Sequence, residues 1–157
     1  MPAERSPRFD LESHPFFWMT QVIGSRDRRL AQALRVAGLR VPEWRALAAL
    51  YARRRCTMSE LADLASIDRT TLTRTVDRME QAGWATRLSD DADLRVTRLA
   101  LTAAGERLFA RIWPAVERLN RAAIDGLPAG AVEAVCRTLG KMKSNLDQGP
   151  AEDEQAA

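Results

Sequence analysis

The chain has 157 residues, of which 46% are hydrophobic and 29% are charged. These are the proportions of a folded globular domain and not of a disordered or fibrous protein. No apolar run approaches the ~20 residues that cross a bilayer, and the charged N-terminus lacks the apolar core of a secretory leader. We therefore expect a cytoplasmic protein that has no membrane partner.

The sequence is poor in the residues of metal sites and active sites. It has one histidine, His14, and its two cysteines, Cys56 and Cys136, lie 80 positions apart, which matches no metal-ligand or disulfide spacing. It also has no Gly-rich phosphate loop and no recognisable pair of nucleophile and base. We expect no metal, no cofactor and no enzymatic activity.

The charge distribution favours an anionic partner. The net charge is +3, but Glu152, Asp153 and Glu154 lie in the C-terminal tail, so residues 1–147 carry 24 basic and 18 acidic residues, or +6. All but two of the basic residues are arginine. Arginine suits bidentate contacts with phosphate and guanine, so nucleic acid is a candidate partner.

Four helices are predicted in the first half of the chain. Apolar residues at helical spacing predict helix 1 up to Gly38, and Pro42 suits the first turn of helix 2. Thr57 and Glu60 form a capping box before helix 3, and Asp68 can cap helix 4. The predicted bounds are 15–37, 42–54, 58–65 and 69–81.

The second half begins with a predicted two-stranded hairpin. The segments WATRL (84–88) and RVTRLAL (95–101) suit a pleated surface and flank a polar turn. Helix 5 should run from Thr102 to Gly126, with a kink at Pro114. Helix 6 should start at Pro128 and carry a heptad seam. The seam residues are Val132, Val135, Leu139, Met142 and Leu146.

This order predicts a mainly α fold with a small β-hairpin wing. Helices 3 and 4 meet across a three-residue turn, as in a winged helix-turn-helix, and the outer helices carry apolar surface suited to dimerisation. The predicted organisation has five parts. They are a disordered N-terminus (1–14), an N-terminal dimerisation helix (15–41), a winged helix-turn-helix DNA-binding unit (42–101), C-terminal dimerisation helices (102–147) and a disordered acidic tail (148–157).

Helix 4 has the face that a major groove requires. At 100° per residue, Leu72, Val76 and Met79 form its buried stripe. Short hydroxyl residues and arginines occupy the other faces, where they could approach bases and phosphates. These are Thr70, Thr71, Thr73, Arg74 and Arg78. The alternative is a solvated face on which the two arginines pair with Asp77 or Glu80.

The predicted wing carries a second set of candidate contacts. Arg87, Asp93 and Arg95 flank its turn, and an arginine at a wing tip can enter the minor groove. Alternatively, Asp93 and Arg95 form an ion pair that stiffens the turn. Both interpretations can hold, because a stiff wing positions its arginine better.

Three segments resemble the multiple-antibiotic-resistance regulator (MarR) family of winged-helix transcription factors. They are ELADLASIDRTTLTRTVDRMEQAGWATR (60–87), DLR (93–95) leading into LALTAAG (99–105), and LNRAAIDGLPAGAVEAVCRTLGKMKSNL (119–146). The resemblance implies a homodimer that binds double-stranded DNA at a pseudo-palindromic operator. It implies repression that is relieved by a small anionic or phenolic ligand, or by cysteine oxidation.

The resemblance also extends to particular residues. It carries DNA contacts onto Asp93, Arg95 and the face of helix 4 from Arg69 to Arg78. The family commonly has a basic residue between the two wing positions, whereas this chain has Leu94. We therefore expect a weaker wing contact that depends mainly on Arg95.

Candidate effector residues cluster where helices 1 and 2 should approach each other. Aromatic rings with one cation could hold an aromatic carboxylate; the residues are His14, Phe17, Trp18, Trp44 and Arg45. Alternatively, the rings are dimer core and Arg45 pairs with an acid. Cys56 follows three arginines, which should favour its thiolate.

Three hypotheses for function remain open. The leading one is a homodimeric, sequence-specific regulator that represses transcription and is released by a small aromatic acid. The second is a winged-helix protein-interaction module that does not bind DNA, which the near balance of nine basic and eight acidic residues in 53–98 supports. The third is a regulator that senses oxidation through Cys56.

Overall fold

The computed structural model describes residues 10–90 and 95–148. A short 3-10 helix at Leu11–Ser13 precedes six α-helices and three β-strands. In chain order they are α1 (Pro15–Arg35), α2 (Val41–Arg53), β1 (Arg55–Thr57), α3 (Met58–Ala65), α4 (Arg69–Gln81), β2 (Ala85–Ser89), β3 (Thr97–Leu101), α5 (Ala103–Ile124) and α6 (Ala131–Asp147). The predicted fold class, mainly helical with a small β wing, is confirmed.

The predicted helix bounds differ from the structure by two or three residues at three ends. The first helix ends at Arg35, two residues early, because the chain turns toward Gly38, which has a positive φ of 67°. The last helix begins at Ala131 and not at Pro128, because Gly130 at its N-cap has a φ of 78°, a conformation that is rare outside glycine. Helix 5 likewise ends at Ile124, two residues before Gly126, which has a φ of 76°. In all three cases a glycine with positive φ lies at or near the boundary.

The sheet has one strand more than the sequence predicted. The hairpin is confirmed as an antiparallel pair of β2 and β3, in which Arg87 lies opposite Leu99. Strand β1 pairs with the other edge of β3 and places Cys56 opposite Leu99 as well, so the strand order is β1-β3-β2. Since β1 has only three residues, it is too short to produce an alternating pattern.

A single apolar core holds the helix-turn-helix and the sheet together. Its fully buried leucines come from the first four helices and from β3. They are Leu30, Leu34, Leu47, Leu50, Leu61, Leu72 and Leu99. Trp44 of α2 extends the core by stacking on Phe109 of α5, with ring centroids 5.4 Å apart. The core therefore fixes α4 against α2 and α3.

The chain divides into two compact units, Met1–Leu119 and Asn120–Ala157. The first contains the helix-turn-helix and the sheet, and the second contains α6. In the second unit the seam residues Val135, Leu139 and Leu146 are exposed. Among the helices of residues 10–90 and 95–148, none is long and apolar enough to cross a membrane.

Side-chain caps define the two helices of the helix-turn-helix. The predicted capping box is present, because Thr57 Oγ1 accepts the Glu60 amide and Glu60 Oε2 accepts the Thr57 amide at 2.7 Å. Asp68 Oδ1 accepts the Thr71 amide at 2.9 Å. The hydrogen bonds from Thr71 hold the pKa of Asp68 below its usual value, so this cap stays ionised to lower pH.

Gly105, which closes the LT-x-x-G segment, allows α5 to approach the start of the wing. A Cβ at this position would lie 2.1 Å from the carbonyl oxygen of Trp84. The same Trp84 carbonyl accepts the Thr102 amide at 3.0 Å, so it cannot move away without losing that bond. The position therefore requires glycine for space.

We expect Gly105→Ala to lower the free energy of unfolding by about 3 kcal/mol, at the upper end for overpacking, because the new methyl meets a fixed backbone atom. Chemical denaturation measures it. Gly24→Ala is the matched control, since its Cβ would meet only Arg28 Nη1 at 3.6 Å and alanine favours a helix. Equal stability of the two variants would contradict this explanation of the packing.

Candidate nucleic-acid interface and adjacent groove

The buried side of α4 fixes the face that the helix turns outward. Leu72, Val76 and Met79 have no exposed surface, as their spacing predicted. Thr75 is buried with them and satisfies its hydroxyl by donating to the Thr71 carbonyl at 2.8 Å. Four buried side chains on one stripe fix which face of the helix points outward.

The opposite face is exposed over the first two turns of α4. Its residues are Arg69, Thr70, Thr71, Thr73 and Arg74. Thr73 Oγ1 donates to the Arg69 carbonyl at 2.9 Å, which keeps that side chain close to the helix. Within the described part of the chain, the guanidinium groups of Arg69 and Arg74 have no carboxylate within ion-pair distance. Two cations over a hydroxyl surface suit a phosphate-lined groove.

Arg78 occupies a different position from Arg74. Its Nε lies 3.1 Å from Oε1 of Glu43, a carboxylate of α2 that is 1% exposed. The predicted DNA contact at Arg78 is therefore directed back toward the protein. The pairing of Arg74 and Arg78 with Asp77 or Glu80 in the alternative interpretation is not present among the described residues, because Arg78 binds Glu43 and the two acids bind another arginine.

That arginine is Arg87 of β2. It lies 3.0 Å from Asp77 and also contacts the carboxylate of Glu80. Arg87, predicted as a wing contact with DNA, thus joins the wing to the last turns of α4. No pattern in the sequence indicates this pairing, because the partners come from separate elements.

The wing tip is only partly described. Asp93 and Leu94 lie outside the described residues, and Arg95 is exposed. Farther along β3, Arg98 binds the carboxylate of Asp90 and lies 3.7 Å from Glu60 of α3. The contact with Glu60 joins the wing to the helix-turn-helix, and the contact with Asp90 joins β3 to the residue that follows β2.

A groove of about 710 Å³ lies between α1, α2 and the end of α3. Its floor consists of small and apolar side chains such as Ala48, Ala49 and Leu64, and Trp44 and Arg45 lie along it. Arg45 Nη2 is 2.5 Å from Asp27 Oδ2, so the expected alternative of an acid paired with Arg45 is present. Two further arginines line the groove, Arg26 and Arg53.

The other predicted effector residues do not line this groove. Phe17 and Trp18 contact each other edge to face at 5.1 Å, and the Trp18 indole donates to the Glu12 carbonyl at 2.8 Å. His14 precedes them at the N-cap of α1 and is exposed. The structure therefore separates the predicted cluster into two groups, of which only Trp44 and Arg45 belong to the groove.

The expectation that the neighbouring arginines lower the pKa of Cys56 is wrong. The residue is 2% exposed, and burial is the main reason that the pKa of its thiol is raised, with Glu60 acting in the same direction. Arg98 lowers the pKa, but by less than burial raises it. Arg54, from the run of arginines before Cys56, instead pairs with Glu106 at 3.1 Å. A buried neutral thiol is a poor target for oxidants.

Comparison with known proteins agrees with this geometry. The MarR family model matches residues 39–97, which span α2, the helix-turn-helix and most of the wing. The HTH-type transcriptional repressor IacR of Pseudomonas putida is 28% identical over 142 residues, which cover 90% of this chain and 85% of that protein.

Solved structures match over a similar length. A MarR family transcriptional regulator from Silicibacter pomeroyi superimposes with a TM-score of 0.82 at 28% identity, covering 90% of this chain and 94% of that one. A cysteine-to-serine mutant of MarR from E. coli, complexed with operator DNA, has a TM-score of 0.68 at 25% identity, covering 80% of this chain and 90% of that one.

These relatives are transcriptional regulators and not enzymes, and their similarity extends beyond the helix-turn-helix to most of the chain. In this chain the same fold presents a fixed helix with an exposed face of arginine and threonine. Residues 39–97 therefore match the MarR family, and the chain as a whole is similar to winged-helix transcriptional regulators.

Proposed function

We propose that this regulator acts as a homodimeric repressor that binds a pseudo-palindromic operator in the cytoplasm and is released by a small aromatic acid. The observation that carries the proposal is the exposed face of α4, where Arg69 and Arg74 lack an ion-pair partner within the described residues. Arginines without an ion-pair partner on this face are available to bases and phosphates.

Arg74 is the residue we assign to base recognition. It lies at the middle of the helix face with Thr70 and Thr73 beside it, and short neighbours let the backbone approach the floor of the groove. Arg69 is in the first turn of α4, where phosphate contacts are common in helix-turn-helix proteins. Arg95 supplies the wing contact.

We expect Arg74→Ala to weaken binding to the preferred operator by about 1–3 kcal/mol, because a bidentate contact with a base edge is lost. Titration of labelled duplexes selected by the native chain from a random pool measures the affinity. Arg111→Ala, which removes the same charge from an exposed site on α5, is the matched control and should change affinity little. If both variants lose the same operator affinity, Arg74 contributes only its charge to binding.

Dimerisation is supported by apolar side chains that lie exposed in each of the two units. On α1 they include Phe16 and Val22, which are 55% and 59% exposed, and on α6 they include Leu139 and Leu146. Monomeric proteins rarely leave such rows in contact with water. A twofold pairing also matches a pseudo-palindromic operator, whose half-sites lie one helical turn apart, about 34 Å.

Leu139→Glu combined with Leu146→Glu should dissociate the dimer, because two charges on the α6 seam would be buried without partners. Sedimentation equilibrium at micromolar concentration measures the mass. The control is Arg137→Glu with Asn145→Glu, which places two charges at exposed positions of the same helix outside the seam. A folded monomer of the native chain would contradict the proposal.

Effector binding is supported by the groove beside Trp44 and Arg45. An aromatic ring fits its apolar floor, and a carboxylate could replace Asp27 as the partner of Arg45. Asp27 would then keep Arg26, whose Nη1 lies 3.5 Å from Asp27 Oδ1. Such a ligand shifts the equilibrium between two arrangements of α1 and α2 only to the extent that it binds one arrangement more tightly than the other.

We expect a salicylate-like acid to release operator DNA and to quench tryptophan fluorescence over the same concentration range. Trp44→Phe should lose the quenching, whereas Trp18→Phe should keep it, because only Trp44 lines the groove. Arg45→Ala should keep operator binding and lose the response to the acid. Release that persists in Arg45→Ala would place the effector elsewhere.

A further inference from the structure

Glu43 is a buried carboxylate between the start of α2 and the outer half of α4. It is 1% exposed, and it is the only Asp or Glu among the buried polar residues of the described chain. Its Oε2 accepts the backbone amide of Arg40 at 2.8 Å, and its Oε1 accepts Arg40 Nε at 3.2 Å and lies 3.1 Å from Arg78 Nε. The carboxylate is thus held by three donors, one of which belongs to α4.

The contacts of Glu43 divide between two tasks. The backbone amide of Arg40, the N-cap residue of α2, finds its acceptor in Glu43 Oε2, and the Arg40 guanidinium adds an ion pair with Oε1 at the same helix end. The third donor, Arg78 Nε, belongs to α4 and takes no part in closing that end of α2. Arg78 therefore contributes something else, which is a fixed connection between α2 and the recognition helix α4.

This connection acts on the part of α4 that faces DNA. Glu43 shares a small cavity of about 210 Å³ with Arg40 and Pro42 and with Thr71, Arg74 and Thr75 of α4. Arg74 lies one turn before Arg78. A change in the tilt of α4 against α2 would therefore move Arg74 relative to the DNA base that it contacts. Arg87 holds α4 on its other flank through Asp77.

We propose that Glu43 is a positioning residue for operator recognition, which acts through Arg78 to set the orientation of α4. This inference rests on the proposed DNA-binding function. It also assigns Arg78 to the contact with Glu43 and Arg74 to base recognition. Loss of the Glu43–Arg78 pair should leave the electrostatic attraction to DNA phosphates intact and reduce the discrimination between DNA sequences.

The test is the ratio of affinities for the selected operator and for an unrelated duplex of equal length. Glu43→Gln keeps the shape and the hydrogen-bond acceptor but removes the charge that holds Arg78. We expect operator affinity to fall and affinity for the unrelated duplex to stay equal or rise, because a negative charge is removed near DNA. The specificity ratio should fall at least tenfold.

The ratio separates positioning from simpler effects. Partial unfolding would reduce the active fraction for both duplexes alike, and a purely electrostatic effect would raise both affinities alike, so either effect leaves the ratio unchanged. The matched control is Glu106→Gln. It removes an exposed carboxylate in the first turn of α5, which pairs with Arg54. Its ratio should equal that of the native chain.

Arg78→Ala and the double variant complete the test. If Glu43 acts through Arg78, Arg78→Ala should lower the ratio by a similar factor, and adding Glu43→Gln should lower it no further. Additive losses, or an unchanged ratio in Glu43→Gln, would overturn this proposal while leaving the proposed function in place. A native chain that prefers no sequence would overturn both.

Discussion

The structure depends on the burial of one stripe of α4 in the core. Leu72, Val76 and Met79 are fully buried among side chains from the other helices and the sheet, and together they fix which residues point outward. Apolar burial is not directional, so it holds the helix in place without setting its orientation to the last few degrees. Ion pairs at the edges of the stripe supply that direction.

Arginine has two separate roles around α4, and its partners distinguish them. Arg78 of α4 binds a carboxylate of α2, and Arg87 of β2 binds a carboxylate of α4. Arg98 of β3 binds Asp90, which follows β2, and lies near Glu60 of α3. Each of these arginines connects two elements of the winged unit. Arg69 and Arg74 have no such partner within the described residues. The arginines of the winged unit thus divide into those that are free to bind DNA and those that connect its elements.

The elements could be predicted from the sequence because their signals are local. Asp68 caps α4 three residues before Thr71, and Gly105 closes a segment whose spacing is characteristic. The pairing of arginines could not be predicted in the same way, since Glu43 and Arg78 are 35 positions apart and meet only after α2 packs on α4. Cys56 illustrates the same limit, because its arginine neighbours suggested a lowered pKa, whereas β1 carries the side chain into the core, where burial raises the pKa.

The structure of the chain bound to its selected duplex tests the central claim most directly. We expect α4 of each of two copies to lie in successive major grooves, with Arg74 at a base edge and Arg78 still bound to Glu43. A complex in which α4 lies outside the groove, or in which Arg78 leaves Glu43 to contact a base, would contradict the assignment of the two arginines to separate roles.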